Sequence, residues 1–193
     1  DLHLGVCRHC AIALGRLGTP DAAKVLFEML QSVHTPLVLQ QEIVRALGWI
    51  ESLESLDYLQ QALQQQIERS STATEISHEI ITTVGQIQST ACRPRATQLL
   101  LRVLQSAHSL WQTPAIQQAV VLGLGQLGDR TALEPLLQQL ENPDFGVRLH
   151  IIAALKVLDR PAAYERLQAW ENDPRLPPAL QTGVAIALQE WGD

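Results

Sequence analysis

The amino-acid sequence predicts an all-α protein, a right-handed α-solenoid of antiparallel helix pairs with about five and a half repeats and eleven helices. A hexapeptide related to Ala-Leu-Gly-x-Leu-Gly recurs every 31 to 40 residues, and helical periodicity surrounds each copy. No segment alternates apolar and polar residues as a half-buried β-strand does. The six copies begin at Ala13, Ala46, Thr83, Gly123, Ala154 and Ala187.

The first helix of each repeat carries one apolar stripe. Counted from the start of the hexapeptide, positions −7, −3, +1 and +4 hold Ile, Val, Leu or Trp in every copy except at Cys10. These offsets share one face of an α-helix, so this face is predicted to form the core. Glycine costs roughly 1 kcal/mol relative to alanine in a helix interior, so its recurrence predicts close helix contact or a bend. It occupies position +2 in four copies, at Gly15, Gly48, Gly85 and Gly125.

A second helix is predicted after each of the first five hexapeptides, because leucine and alanine recur there at spacings of three and four. Turns that contain proline separate the helices. The third repeat differs most from this pattern of two helices and a short turn, because it has a polar segment at residues 70–74 and a longer turn at residues 89–94. Insertions of this kind fall in loops along one edge of a stack, where they either serve a function or are merely tolerated.

Composition and charge narrow the classes of partner. Of the 193 residues 46% are hydrophobic and only 4% aromatic, so aliphatic side chains must fill the core. The net charge is −6, and 14 basic residues are scattered among 20 acidic ones. Nucleic acids and anionic membranes attract clustered positive charge, so we expect no nucleic-acid partner. No apolar run approaches the roughly 20 residues of a membrane span, so we expect no membrane insertion.

We interpret residues 1–193 as a single domain, because a stack of repeats shares one continuous core. The chain begins at Asp1 rather than Met and enters a helical pattern at once, which suggests a fragment of a longer chain. Its three cysteines are an odd number without the spacing of a disulfide framework. This favours a reducing compartment, and we expect the protein in the cytoplasm.

The segment Cys7-Arg8-His9-Cys10 is the strongest candidate for chemistry. On a helix, His3, Cys7 and Cys10 fall on roughly one face, which would suit a soft metal or a redox pair. Against this, Cys10 stands at position −3, where the other repeats place Ile or Val, so it is more simply a small buried core residue. We favour the core interpretation and expect neither a metal nor a cofactor.

The remaining catalytic patterns are weak. Gly123, Gly125 and Gly128 match GxGxxG, but they end a helix and follow no strand, so the repeat explains them better than a dinucleotide site. The other histidines are dispersed and lack the spacing of metal ligands, and no Ser-His-Asp arrangement is indicated. We therefore expect no catalytic residue. The dispersed histidines are His34, His78, His108 and His150.

The segment from Asn142 to Arg148, with Ala153-Ala154-Leu155 and Asp159 after it, resembles a HEAT repeat. More narrowly, it is similar to the short subtype named after phycobilisome lyases, the PBS lyase HEAT-like repeat, and the resemblance covers essentially the whole chain. Only the fifth repeat carries the Val-Arg pair of that subtype, at Val147-Arg148, so the Asp–Arg ladder common in HEAT stacks is expected to be mostly absent. The resemblance implies an armadillo-like stack of helices. Such repeats occur in lyases, adaptors, chaperones and regulators.

In HEAT-like stacks the second helices usually line the concave surface, and here their polar sides are rich in glutamine. A neutral surface with many hydrogen-bonding groups suits a protein or peptide partner. Trp49 and Trp111 fall on outward or loop positions, where each either anchors an interface or fills a gap between repeats, whereas Trp191 occupies a core position. The residues predicted to bind a partner are Lys24, Glu28, Tyr58, Gln61, Gln65, Gln98, Arg102, Glu134 and Gln138.

Our first interpretation is a non-catalytic protein–protein interaction scaffold that uses the concave face. The apolar faces of the terminal repeats would give it some tendency to self-associate. The alternative implied by the resemblance is a phycobilin lyase-like or chaperone protein that handles a linear tetrapyrrole and a phycobiliprotein subunit. In that case Arg95 and Arg102 are candidate cations for the propionates. A third interpretation is a regulatory repeat domain attached to a catalytic domain.

Overall fold

A computed structural model describes residues 2–67 and 73–191, and within these ranges all regular structure is helical. The chain divides into two compact units, residues 1–100 (unit 1) and residues 101–193 (unit 2). Two short 3-10 turns flank α8, at Arg130–Ala132 and Gln139–Glu141. The α-helices are α1 (Leu2–Leu17), α2 (Pro20–Gln31), α3 (Leu37–Ile50), α4 (Leu53–Gln66), α5 (Ala73–Gly85), α6 (Arg93–Leu104), α7 (Pro114–Leu127), α8 (Leu133–Gln138), α9 (Phe145–Trp170) and α10 (Pro178–Trp191).

Unit 1 has two layers of helices. The first helices α1, α3 and α5 lie side by side in one layer, and the second helices α2 and α4 pack against each other in the other. Both second helices begin at a hydroxyl side chain, since Thr19 Oγ1 accepts from the Ala22 amide at 3.2 Å and Ser52 Oγ accepts from the Ser55 amide at 3.0 Å. Such caps satisfy amides that have no partner within the helix, and so they fix where α2 and α4 begin.

Unit 2 is also built from helix pairs, but its helix α9 contains a kink. Asp159 adopts an extended conformation (φ −162°, ψ 86°), and Pro161 follows it inside the helix. Proline has no amide hydrogen to continue the preceding helix, and the Asp159 carboxylate accepts from the Ala162 amide at 3.2 Å, which caps a new segment. The ninth and tenth predicted helices therefore join end to end without a loop. The described residues thus form ten α-helices instead of the eleven predicted, because two predicted helices meet at the Asp159 kink and together form α9.

The predicted apolar stripe forms the core in the second to fifth repeats. The side chains at −7, −3 and +1 are buried there without exception, and those at +4 are buried in all but the second repeat, where Ile50 is half-buried. In the sixth repeat Leu180, Val184 and Trp191 are buried and Leu188 is half-buried. The core prediction is thus confirmed for these repeats.

In α1 the core prediction is wrong. Val6 is 59% exposed, Leu17 is 64% exposed, and Cys10, which we expected in the core, is also exposed. The opposite side of α1 carries Ala11 and Gly15, which are buried against α3. The side of α1 that packs on α3 is thus not the predicted stripe, of which only Leu14 is half-buried while Val6, Cys10 and Leu17 are exposed.

The recurrent glycines mark close helix contacts. A Cβ atom on Gly15 would lie 2.9 Å from the backbone of Ala46 in α3, and one on Gly125 would lie 3.2 Å from the Ala154 side chain in α9. A Cβ on Gly48 would likewise meet Thr83 in α5. Of the two explanations for these glycines, close contact is therefore the one that applies at these three positions.

The two insertions of the third repeat are placed differently. Residues 70–72 of the polar segment lie outside the described residues. The longer turn occupies residues 86–92 and is held at the end of α3 by two hydrogen bonds to Glu51. The Cys92 thiol donates to the Glu51 carbonyl oxygen at 3.0 Å, and the Gln88 backbone amide donates to the Glu51 carboxylate at 2.7 Å. The insertion is thus a packed part of unit 1.

Candidate protein-binding surfaces

The second helices of unit 1 present a continuous polar surface. The rings of Phe27 in α2 and Tyr58 in α4 stack with centroids 4.5 Å apart and planes inclined by 15°. Arg95 in α6 donates to Asp57 in α4 at 2.8 Å. These two contacts join α2, α4 and the start of α6 into one surface, which we call the second-helix face. Its predicted partner-binding members are Lys24, Glu28, Tyr58, Gln61, Gln65 and Gln98.

Tyr58 is the aromatic centre of the second-helix face. Its ring is half-buried on Phe27, and its hydroxyl donates to Glu54 at 3.1 Å. Partial burial raises the pKa of Tyr58 above its ordinary value near 10, and the hydrogen bond and negative charge of Glu54 raise it further, with a smaller contribution from the charge of Glu28. The phenol is therefore held protonated and in a defined orientation.

The other predicted residues of this face are accessible. Lys24, Glu28, Gln61 and Gln98 are exposed and Gln65 is half-buried. Three further predicted residues belong to unit 2, where Arg102, Glu134 and Gln138 are all exposed. Six of the nine predicted residues thus lie in unit 1 and three in unit 2.

The charged members of unit 2 differ in their pairing. Arg166 in α9 donates two hydrogen bonds to Glu134, at 2.7 and 3.0 Å, and this pairing raises the pKa of Arg166. Arg102 is exposed and makes no ion pair with the described residues. Of the two arginines considered for a propionate, Arg95 is already held by Asp57, so Arg102 is the more available.

Sequence reasoning missed a ladder of charges on the first helices of unit 1. Arg8 donates to Glu42 at 3.2 Å, Arg45 lies 3.8 Å from the same carboxylate, and Arg45 also donates to Glu79 at 2.7 and 3.0 Å. The hydrogen bond to Glu79 is the largest cause that raises the pKa of Arg45. The signal was present in the sequence, since Arg8 and Glu42, like Arg45 and Glu79, are 34 residues apart, close to the spacing of the repeats.

A cleft of about 630 Å³ opens between α3 and α5. We call it the α3–α5 cleft. Trp49, predicted as an interface anchor, lies in this cleft with 50% of its surface exposed. Neither a cleft here nor its polar lining was predicted, because both depend on how far α3 and α5 separate. The lining residues used below are Arg45, Trp49, Glu51, Glu79 and Gln88.

The other tryptophans have different environments. Trp111 is only 4% exposed, so the prediction that it anchors an interface is wrong. The indole instead fills space within the fold, the other interpretation of its position, and the Trp111 backbone amide donates to the His108 carbonyl at 2.9 Å in the same turn. Trp191 is buried, as its core position predicted.

The Cys7–Cys10 segment does not form a metal cluster. Cys7 is half-buried, Cys10 is exposed and His9 bonds to the Gly5 carbonyl at 2.8 Å. No group of three potential ligands among His, Cys, Asp and Glu occurs in the part of the chain that the structure describes. In the same residues, no helix combines the length and apolar character needed to cross a membrane.

The stacked helix pairs define the chain as an all-α repeat protein of the α-solenoid class. The sequence profile of HEAT repeats matches residues 5–75 and 112–189, which is most of the chain. The chain therefore belongs to the HEAT-repeat family.

A relative among characterised proteins supports the narrower resemblance. The phycocyanobilin lyase subunit beta of Thermosynechococcus vestitus is 35% identical over 126 residues, which cover 65% of this chain and 54% of that protein. The chain thus spans about half the length of the relative that it matches. The predicted resemblance to a PBS lyase-like HEAT protein is confirmed by these two findings together.

Proposed function

We propose that this HEAT-repeat chain is a non-catalytic scaffold that binds a partner protein through its second-helix face. The observation that carries the proposal is the environment of Tyr58. Its ring is fixed by Phe27 and its hydroxyl by Glu54, and the second-helix face also carries the exposed amide side chains of Gln61 and Gln98. Rigid aromatic anchors among adaptable polar groups are typical of protein interfaces.

The test compares tyrosine substitutions in the two units. Affinity-tagged chain is incubated with the soluble lysate of its source organism, and captured proteins are quantified by mass spectrometry. We expect one colourless partner at near-equal stoichiometry and its loss with Tyr58→Ala. Tyr164→Ala is the matched control, because Tyr164 is also a partly exposed tyrosine stacked on an aromatic ring, that of Trp191 at 6.1 Å. Equal capture by both variants would contradict the proposal.

The second candidate function is a phycobilin lyase-like or chaperone role, and the similarity to phycocyanobilin lyase subunit beta favours it. In this case the chain would handle a linear tetrapyrrole and a phycobiliprotein subunit, with Arg102 as a cation for a propionate. Mixing the chain with phycocyanobilin should then change the pigment's absorbance spectrum, and Arg102→Gln should reduce the change. An unchanged spectrum at saturating protein would exclude direct pigment handling by this chain.

We also propose that residues 1–193 behave as one domain and that the protein works in the cytoplasm. Support for the second point is that all three cysteines are free thiols, as a reducing compartment requires. The first point predicts that urea unfolding followed by tryptophan fluorescence and by circular dichroism gives coincident transitions. Two separated transitions would indicate two independent domains.

A further inference from the structure

Aromatic rings in unit 2 are covered by cations of the same chain. The guanidinium of Arg166 lies 5.2 Å from the ring centroid of Trp170, and that of Arg148 lies 5.7 Å from Phe145. The ammonium of Lys156 lies 5.7 Å from Trp191. A cation at this distance from an aromatic face is attracted by the ring quadrupole. This chain thus uses the interaction repeatedly.

Trp49 in the α3–α5 cleft has no such cation among the described residues, although half of its surface is exposed. Arg45 is one turn before Trp49 on α3 and lines the same cleft. Its guanidinium is already held by two hydrogen bonds to Glu79 and by the nearby carboxylate of Glu42. The indole face is therefore left for a cation from outside the chain.

Glu51 supplies a carboxylate to the same cleft. It follows the end of α3 in the left-handed conformation (φ 47°, ψ 41°). The equivalent position, +5 from the start of the hexapeptide, is glycine in the first and fourth repeats, where Gly18 and Gly128 have φ of 68° and 66°. A side chain is disfavoured in this conformation, so glutamate replaces the residue that the backbone prefers.

The carboxylate of Glu51 is also held in place. Its Oε1 atom accepts from the Gln88 amide at 2.7 Å, while its Oε2 atom makes no hydrogen bond or ion pair with the described residues. Among the described residues that line the cleft, the guanidinium of Arg45 is paired with Glu79, whereas the carboxylate of Glu51 has no ion pair. The cleft therefore carries an excess of negative charge, in a chain whose net charge is −6.

We propose that the α3–α5 cleft binds an arginine or lysine side chain from a basic, extended segment of a protein partner. The cation lies over the indole of Trp49, and Glu51 neutralises its charge. The volume of about 630 Å³ accommodates such a side chain together with neighbouring backbone. The proposal goes beyond the proposed scaffold function, because its site is separate from the second-helix face.

The first experiment locates binding by NMR on the full chain. The indole resonances of ¹⁵N-labelled protein are followed during titration with an end-blocked peptide Gly-Arg-Gly-Arg-Gly, and Trp49→Phe assigns the Trp49 signal. We expect a saturable shift of that signal, which high salt weakens. The Trp170 indole serves as an internal control, because Arg166 already covers its ring. A shift of Trp170 equal to that of Trp49, or no shift of Trp49, overturns the proposal.

The second experiment measures affinity by fluorescence anisotropy of the same peptide carrying a fluorophore. Glu51→Gln keeps an oxygen acceptor for the Gln88 backbone amide but removes the charge, and we expect about two- to fivefold weaker binding. Trp49→Leu should weaken binding about fivefold through loss of the ring. The peptide Gly-Glu-Gly-Glu-Gly should not bind. Equal affinity of the acidic peptide, or of Glu51→Gln protein, overturns the proposal.

Tyr58→Ala separates this inference from the proposed function. It should leave binding of the arginine peptide unchanged, because Tyr58 lies on the second helix α4 rather than in the cleft. Loss of peptide binding in the folded Tyr58→Ala protein would place the peptide on the second-helix face and overturn the cleft site.

Discussion

Gly15 shows how one missing side chain sets the distance between two helices. The Cα, Cβ and carbonyl oxygen of Ala46 all lie 2.9 Å from where a Cβ atom on Gly15 would stand. Two of these three atoms are backbone, so α3 must move as a whole to make room. The sequence predicted close contact or a bend from the recurrence of glycine, but only the structure identifies the opposing atoms.

We therefore expect Gly15→Ala to lower the free energy of unfolding by about 1–3 kcal/mol, the usual cost of overpacking. The matched control is Gly5→Ala in the same helix, where nothing lies within 4 Å of the added Cβ. That variant should gain up to about 1 kcal/mol from helix propensity. Urea unfolding followed by circular dichroism measures both, and a neutral Gly15→Ala would show that α1 and α3 can separate without cost.

Tyr58 provides a pH-dependent test at the same scale. Because its pKa in the folded chain is raised, the phenol keeps its proton above pH 10. Its contribution to stability is thus present below pH 10 and is lost as the pH rises through the raised pKa. The absorbance difference at about 295 nm between the original chain and Tyr58→Phe reports this titration.

The expected control is Glu54→Gln, which removes a negative charge and a charged acceptor and should therefore bring the pKa of Tyr58 closer to 10. Titration of Tyr58 at or below its ordinary pKa would mean that the phenol is more exposed than the structure shows. The proposed anchor on the second-helix face would then lack its rigid orientation.

At the scale of elements, α9 shows where sequence reasoning succeeds and where it stops. Helical periodicity correctly located both of its segments, and the rule that proline-containing turns separate the helices correctly placed a break close to Pro161. What periodicity could not predict is that Asp159 alone makes the break, without a loop. Propensity rules locate the interruption, but the length of a connection depends on how the flanking segments pack.

Asp159 has two roles at the kink, which substitution can separate. Its carboxylate caps the second segment at the Ala162 amide, and it pairs with Arg130 at 3.2 Å. Arg130 is largely exposed, so the ion pair should contribute little, while loss of a cap typically costs about 1 kcal/mol. We expect Asp159→Ala to lower the free energy of unfolding by about that amount and Asp159→Asn or Arg130→Ala to change it much less.

Thermal and urea unfolding of the three variants would check this ranking. If Arg130→Ala were as destabilising as Asp159→Ala, the ion pair rather than the cap would hold the kink.

At the scale of the whole molecule, the periodic pattern was sufficient to predict the class of fold. It could not predict the surfaces as reliably, because burial depends on the neighbour of a helix as well as its own pattern. Val6 and Cys10 obey the core pattern and yet are exposed, while Trp111 has a loop position and yet is buried. Likewise, the α3–α5 cleft arises from the spacing of two helices that are distant in sequence.

The exposed side of α1 leads to a prediction about assembly. Val6, Cys10, Ala13 and Leu17 form an apolar strip that would be buried by a second copy. We expect the average mass in sedimentation equilibrium, under reducing conditions, to rise above 21.3 kDa with increasing concentration. Leu17→Glu should suppress this rise, because it would bury a charge in the contact.

Val33→Glu is the matched control for assembly, since Val33 is also exposed, at 86%, but lies outside the strip. It should associate like the original chain. A constant mass of one chain at all concentrations would show that the strip does not mediate self-association.

The left-handed glutamate after α3 bears on how this protein could be redesigned. Averaging the repeats into a consensus would place glycine at position 51, and relief of the strained backbone would add roughly 1–2 kcal/mol of stability. The same change would remove the fixed carboxylate from the cleft that Trp49 lines and the anchor of the turn at Gln88. A consensus sequence would therefore be more stable, but it would lack the carboxylate that the second repeat contributes to the α3–α5 cleft.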